Sequence, residues 1–206
     1  MDGLRPSRDA DRLREYPHLQ LAEFSEVLDF WFGAPDSRER GRPRKAWFKK
    51  SAPFDADIRS RFLPVWEKAA RGELERWQAT PLASLALVVV LDQFPRNMFR
   101  GTPRAFSTDS RALAVAGSAL ERGFDRMLSP AERTFMYLPF EHAEDLAAQR
   151  RSLGLFEALD PNDMEYVKRH YEIIARFGRF PHRNAILGRE STSEEIEFLK
   201  GPASSF

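Results

Sequence analysis

The chain has no cysteine in 206 residues. That excludes disulfides, thiolate nucleophiles and Cys-ligated zinc or iron–sulfur centres. A surplus of one charge is missing too: 32 Lys and Arg face 31 Asp and Glu, for a formal net charge of +1. A general nucleic-acid binder shows a basic excess or stripe, so no nucleic-acid partner is expected. The longest unbroken apolar run, Leu85–Leu91, falls far short of the roughly 20 residues that span a bilayer. No membrane partner is expected. The first 18 residues, MDGLRPSRDADRLREYPH, lack the apolar stretch of a secretory signal, and a cytoplasmic location is expected. Gly-rich phosphate loops, Gly-x-Ser-x-Gly elbows, dinucleotide fingerprints and His-Glu-x-x-His are absent. No cofactor and no metal site are therefore assigned. Period-two alternation is also missing, which argues against half-buried strands.

What is present is helical periodicity and ample core material, with 42% hydrophobic residues and 17 Phe. Residues 1–18 are charged and aperiodic and read as a loosely ordered arm. Residues 19–206 read as a single all-α domain. Leu21, Phe24, Val27, Leu28 and Trp31 fall on one helical face, and Gly33-Ala34-Pro35 stops that helix. Residues 34–46 form a basic loop, followed by a docking point at Trp47-Phe48. Asp55 is placed to cap a helix carrying Ile58, Phe62, Trp66 and Ala69, which Pro64 should kink or split. Thr80-Pro81 starts a helix over about 81–94 that is apolar almost all round, hence buried, and Pro95 ends or kinks it. The Val88-Val89-Val90 run is compatible with a strand, but the length of the apolar stretch favours a helix.

Further on, Thr108-Asp109 caps a helix with Leu113, Ala116, Ala119 and Leu120 inward. Ser129-Pro130-Ala131-Glu132 has capping-box spacing. That helix meets Pro139 and resumes to about Leu159. Met164, Val167, Tyr171 and Ile174 mark another, closed by Gly178, and Ser191 with Glu194 caps a last short one. The expectation is about seven to nine helices packed as antiparallel hairpins.

Chemistry concentrates in three places. Asp92, Arg96, Asn97 and Arg100 end the buried helix, and Asp92 and Arg96 share a face at i,i+4. They read either as a structural ion pair or as an anion-binding set. Glu141, His142 and Asp145 form a second cluster, in which Asp145 stands at i,i+3 from His142. An acid there can orient the imidazole in a ligand pocket or share a metal with it, or the cluster is plain structural hydrogen bonding. His182, Arg183 and Asn184 follow a proline in a loop. His170 reads as a satisfied, half-buried histidine. Phe94-Pro95-Arg96-Asn97 and Phe180-Pro181-His182-Arg183-Asn184 echo one another. The echo is either chance or a pair of equivalent turns presenting Arg and Asn to one place.

Four blocks carry a family resemblance: Val27–Gly33, Leu91–Asp109, Tyr137–Asp145 and Arg176–Arg189. Together they resemble the bacterial domain-of-unknown-function family 924, over nearly the whole chain from about residue 21. The resemblance implies a tetratricopeptide-like array of helical hairpins and brings no established activity. The resulting expectation is a polar site that takes a small anionic ligand, with His142 or His182 as acid/base if it is an enzyme. The rival reading is a peptide-binding interaction module with a purely structural polar network.

Overall fold

A helix that is apolar on nearly every side is satisfied only in the middle of an assembly, and residues 81–98 lie there. The computed structural model describes residues 21–204 other than 39, 48 and 203, and of residues 21–23 the backbone alone. The arm expected over residues 1–18, and Phe48, lie outside the described residues. Helix α1 spans Leu21–Phe32, α2 Ala52–Ala70 and α3 Pro81–Val88. A π-helical turn, Val89–Gln93, joins α3 to α4, Phe94–Met98. Then follow α5 (Asp109–Glu121), α6 (Pro130–His142), α7 (Leu146–Leu159), α8 (Glu165–Phe177) and α9 (Ser193–Leu199). Among the described residues there is no strand, so the all-α expectation holds. No helix of the described residues is long and apolar enough to cross a membrane.

Helix α3 is the hub. Helices α1, α5 and α6 pack on it, and α2, α5 and α6 touch the π turn that follows. Every residue from Leu85 to Leu91 is at most 2% exposed. An aromatic layer beside it joins Trp31 to Phe94 and Phe135 edge-to-face, at 5.8 and 5.5 Å between centroids. From α5 onward each helix packs on the next, through α8.

Pro95 explains the π turn. It has no N–H for the carbonyl of Leu91, and its ring crowds the preceding turn. The helix widens instead of stopping: the N–H of Phe94 bonds back to the carbonyl of Val89, and the chain runs on helically to Met98. The stranded Leu91 carbonyl accepts from Thr108 Oγ1 at 2.6 Å, and the same hydroxyl accepts from Trp66 Nε1 at 3.4 Å. Thr108 therefore does not cap α5, although it stands at the N-cap position. Its side chain is committed to the core.

Other boundaries shift for local reasons. Ser51, not Asp55, caps α2. Pro64 does not split α2, because it sits on the exposed face, where water can serve the carbonyl that loses its partner. Helix α6 passes through Pro139 and breaks later, at 143–145. There Asp145 caps α7 by accepting from the N–H of Ala148 at 2.7 Å. Gln149 donates to the free carbonyls of Glu141 and Ala143 at 2.6 and 2.9 Å. The last helix is capped one residue later than expected, by a Thr192–Glu195 capping box.

Thr108→Val keeps the shape of the side chain and removes the hydroxyl. Leu91's carbonyl is then buried without a partner, a loss of about 1–3 kcal/mol. The expected outcome is a lower urea midpoint with an unchanged m-value.

Candidate functional site

The π turn presents Asp92 to the interior with no exposure at all. A buried carboxylate needs cationic or hydrogen-bonding partners, and Asp92 finds them on other elements. His142, at the end of α6, places Nδ1 at 2.8 and 3.0 Å from the two carboxylate oxygens. Gln93 donates to Asp92 at 2.5 Å. Arg96 lies one turn on, 3.2 Å from Asp92 Oδ1, and also donates to the Asp92 carbonyl at 2.6 Å. Arg96 then clasps Asp109, at the start of α5, through two bonds of 2.8 and 3.0 Å. Arg183 shares Asp109 Oδ2 with Arg96, donating to it at 3.2 Å, and donates to the backbone carbonyl of His142 at 3.1 Å. Its guanidinium lies over both Phe106 and Phe180, at 4.5 and 4.6 Å from the ring centroids.

Behind this centre is a second carboxyl–imidazole pair. Glu141 and His170 approach to 3.1 Å, and their side chains are 7% and 6% exposed. The rings of His170 and His142 are 6.4 Å apart. His170 Nδ1 donates to the carbonyl of Tyr166 at 2.8 Å.

Electrostatics separates the two pairs. Burial pushes the Asp92 carboxyl up, but Arg96 and then His142 outweigh it and hold the group below the usual carboxylate range. Burial, and after it the Arg96 charge, lowers His142, although Asp92 pulls the other way. His142 is therefore a neutral imidazole at pH 7, donating Nδ1–H to a carboxylate. Glu141 is pushed up to about 8 by burial, and further by Asp92 and Asp163. Burial takes His170 down to about 3, against the pull of the Tyr166 carbonyl. The Glu141–His170 pair is thus a neutral carboxyl against a neutral imidazole rather than an ion pair.

Of the residues singled out from sequence, Asp92, Arg96, His142 and Arg183 converge, and Glu141 lies one layer behind. The others go elsewhere. Asn97 and Arg100 both bind Asp55, Asn97 at 2.7 Å and Arg100 through two bonds of 3.0 Å. Asn184 donates to Ser191 and Glu195 at 3.0 and 3.2 Å. Asp145 is the cap of α7 and does not orient His142, whose carboxylate is Asp92. His182 is half-buried, and burial and then Arg183 lower it to about 4.

The echo between the two Phe-Pro turns is a real equivalence. In each, the Arg goes to Asp109. In each, the Asn shares with a second arginine a carboxylate in the first turn of a neighbouring helix: Asp55 with Arg100, and Glu195 with Arg179. The two arginines meet and the two asparagines do not.

Sequence reasoning missed that Asp109 and Phe106 meet both arginines and that His170 pairs with Glu141. Asp109 had a sufficient local explanation as part of a helix start. Nothing local told that both arginines would use it. Among the described residues, no group of three or more His, Asp and Glu side chains converges as a metal site. A groove of about 370 Å³ opens elsewhere, lined by Glu75, Gln78, Ser110, Arg111, Ala114 and Val115.

Asp109→Asn removes the carboxylate shared by the buried Arg183 and the half-buried Arg96, at an expected cost of up to roughly 3–5 kcal/mol. Arg100→Ala, at a site 39% exposed, is expected to cost at most about 1 kcal/mol. Chemical denaturation of both variants checks the ranking.

The geometry can be set beside known proteins. A family model described as bacterial protein of unknown function (DUF924) matches residues 27–203. A solved structure of a protein of unknown function from Agrobacterium tumefaciens is 44% identical, with 87% of this chain and 98% of that chain covered and a TM-score of 0.78. No curated protein matches. The matched span includes the four blocks, the π turn and every residue of the polar centre, and the chain belongs to the bacterial DUF924 family.

Proposed function

We propose that the Asp92–His142–Arg183 centre binds a small anionic ligand and that His142 is its acid/base. The observation that carries this reading is at Arg183. Its side chain is 8% exposed, and its Nε–H is shielded yet has no acceptor among the described residues. Buried donors rarely stay unused, because each one forfeits its hydrogen bonds to water. An oxyanion is the natural acceptor for a guanidinium edge.

His142 supports the same reading. Asp92 holds its Nδ1 and leaves Nε2 as the acceptor nitrogen of the neutral ring. The side chain keeps 16% exposure, and Nε2 is not among the shielded atoms lacking partners. A carboxylate behind an imidazole fixes tautomer and orientation, which general acid–base work requires. Arg96 and Asp109, at 19% and 18% exposure, form the remaining rim, with Phe106 beside them.

Inorganic phosphate and acetate are suitable probes. The expected result is a saturable shift of the His142 ring resonances in NMR. The His142 pKa should rise on binding, because a nearby anion favours the imidazolium. Arg183→Lys keeps the charge and loses the planar fork, so affinity should fall roughly tenfold or more. If a folded wild-type protein shows no His142 shift with either anion, the reading fails.

A further inference from the structure

The segment from α8 through α9 is held to the rest of the chain differently from the other elements. The main core draws its buried residues from Phe24 to Ala148. The segment has a small cluster of its own, Ile173, Ile174 and Phe180, with Leu146, Phe177 and Phe198 against it. Of those six residues, Leu146 comes from outside the segment, at the start of α7. Met164 and Val167 are buried where α8 begins and packs on α7.

Around the polar centre the attachments are polar. Arg183 ties to Asp109 and to the carbonyl of His142. Glu144 accepts from the N–H of Phe180 at 2.7 Å and pairs with Arg189 at 2.6 and 2.9 Å. His170 meets Glu141 at 3.1 Å. The segment thus supplies one wall of the site, tied to the centre by polar contacts and to α7 by the apolar face of α8.

We propose that the segment from α8 through α9 is a cover over the Asp92–His142 centre, released when Glu141 loses its proton. Charged and titratable groups reach Glu141 from every side: Asp92 from the π turn, His142 beside it on α6, Asp163 from the α7–α8 link and His170 from α8. His142, Arg183 and His182 in turn face His170 and oppose its protonation. An ionised Glu141 would therefore be a second buried carboxylate near Asp92, facing an imidazole that burial keeps neutral. Lifting α8 admits water to it.

The direction with pH follows from linkage. Glu141 titrates near 8 with the cover closed and near 4.3 when solvated. Its contribution to closure is complete below the lower value and is lost as pH rises to the higher one. His170 acts oppositely. It titrates near 3 when covered and near 6.5 when free, so its contribution is complete above 6.5 and is lost as pH falls. Between about 4.3 and 6.5 the two offset each other. Between about 6.5 and 8 Glu141 acts alone, and the opening constant grows about tenfold per pH unit.

Hydrogen exchange of the ligand-free full chain, corrected for intrinsic rates, reads this directly. Peptides from 165–199 should lose protection by about that factor per pH unit above 6.5, while those of α3 keep theirs. Glu141→Gln should remove the slope. Asp163→Asn, which leaves the buried pair intact, should end the slope at a lower pH, and it serves if the first variant does not fold. A flat wild-type profile overturns the proposal, as does loss of protection in α3 together with the segment. The measurement uses no ligand, so it stands or falls separately from anion binding.

Discussion

A carboxylate with no exposure to water sits at the junction of four helical elements, and the surrounding structure follows from that constraint. Desolvating Asp92 is costly unless cations and donors close around it. One comes from the next turn, Arg96 on α4; the others come from far along the chain, His142 from the end of α6 and Arg183 held close by way of Asp109 and the His142 carbonyl. The π turn makes this possible. Pro95 denies the helix a backbone bond, and the widened turn lets the helix continue to Arg96 while Thr108 takes up the stranded carbonyl. A backbone defect and a polar centre are thus one feature, in keeping with the frequent siting of π turns at functional positions.

The two Phe-Pro turns give the centre an approximate internal symmetry. Each sends an arginine to Asp109 and an asparagine outward to a helix-start carboxylate that a second arginine also holds. The outward pairs fix each turn to its neighbour, and the inward pairs fix the turns to each other. The two arginines are not equivalent in burial: the Arg183 Nε–H is shielded from water and has no acceptor among the described residues.

Much of the fold was legible because its causes are local. The all-round apolar stretch before Leu91 announced a buried hub, and the Ser129–Glu132 spacing announced its capping box. The misplaced boundaries have a common source. Asp55, Thr108 and Asp145 are all residues that can cap, and the sequence does not say which are needed elsewhere. Thr108 is taken by Leu91, Asp55 by Asn97 and Arg100, and Asp145 does cap, but for the following helix.

The sequence by itself determined the helical class, the buried helix at the centre, the polar character of its end and the family. Each rests on periodicity, composition or a contiguous block, which are properties of neighbours along the chain. Tertiary structure alone decided the partners: Asp92 with His142 rather than Asp145 with His142, Arg183 on Asp109, Glu141 against His170. Polar contacts across 50 or 74 residues leave no local trace. What selects them is the low-polarity interior, where every charge must be met and the nearest available partner is set by how the helices pack.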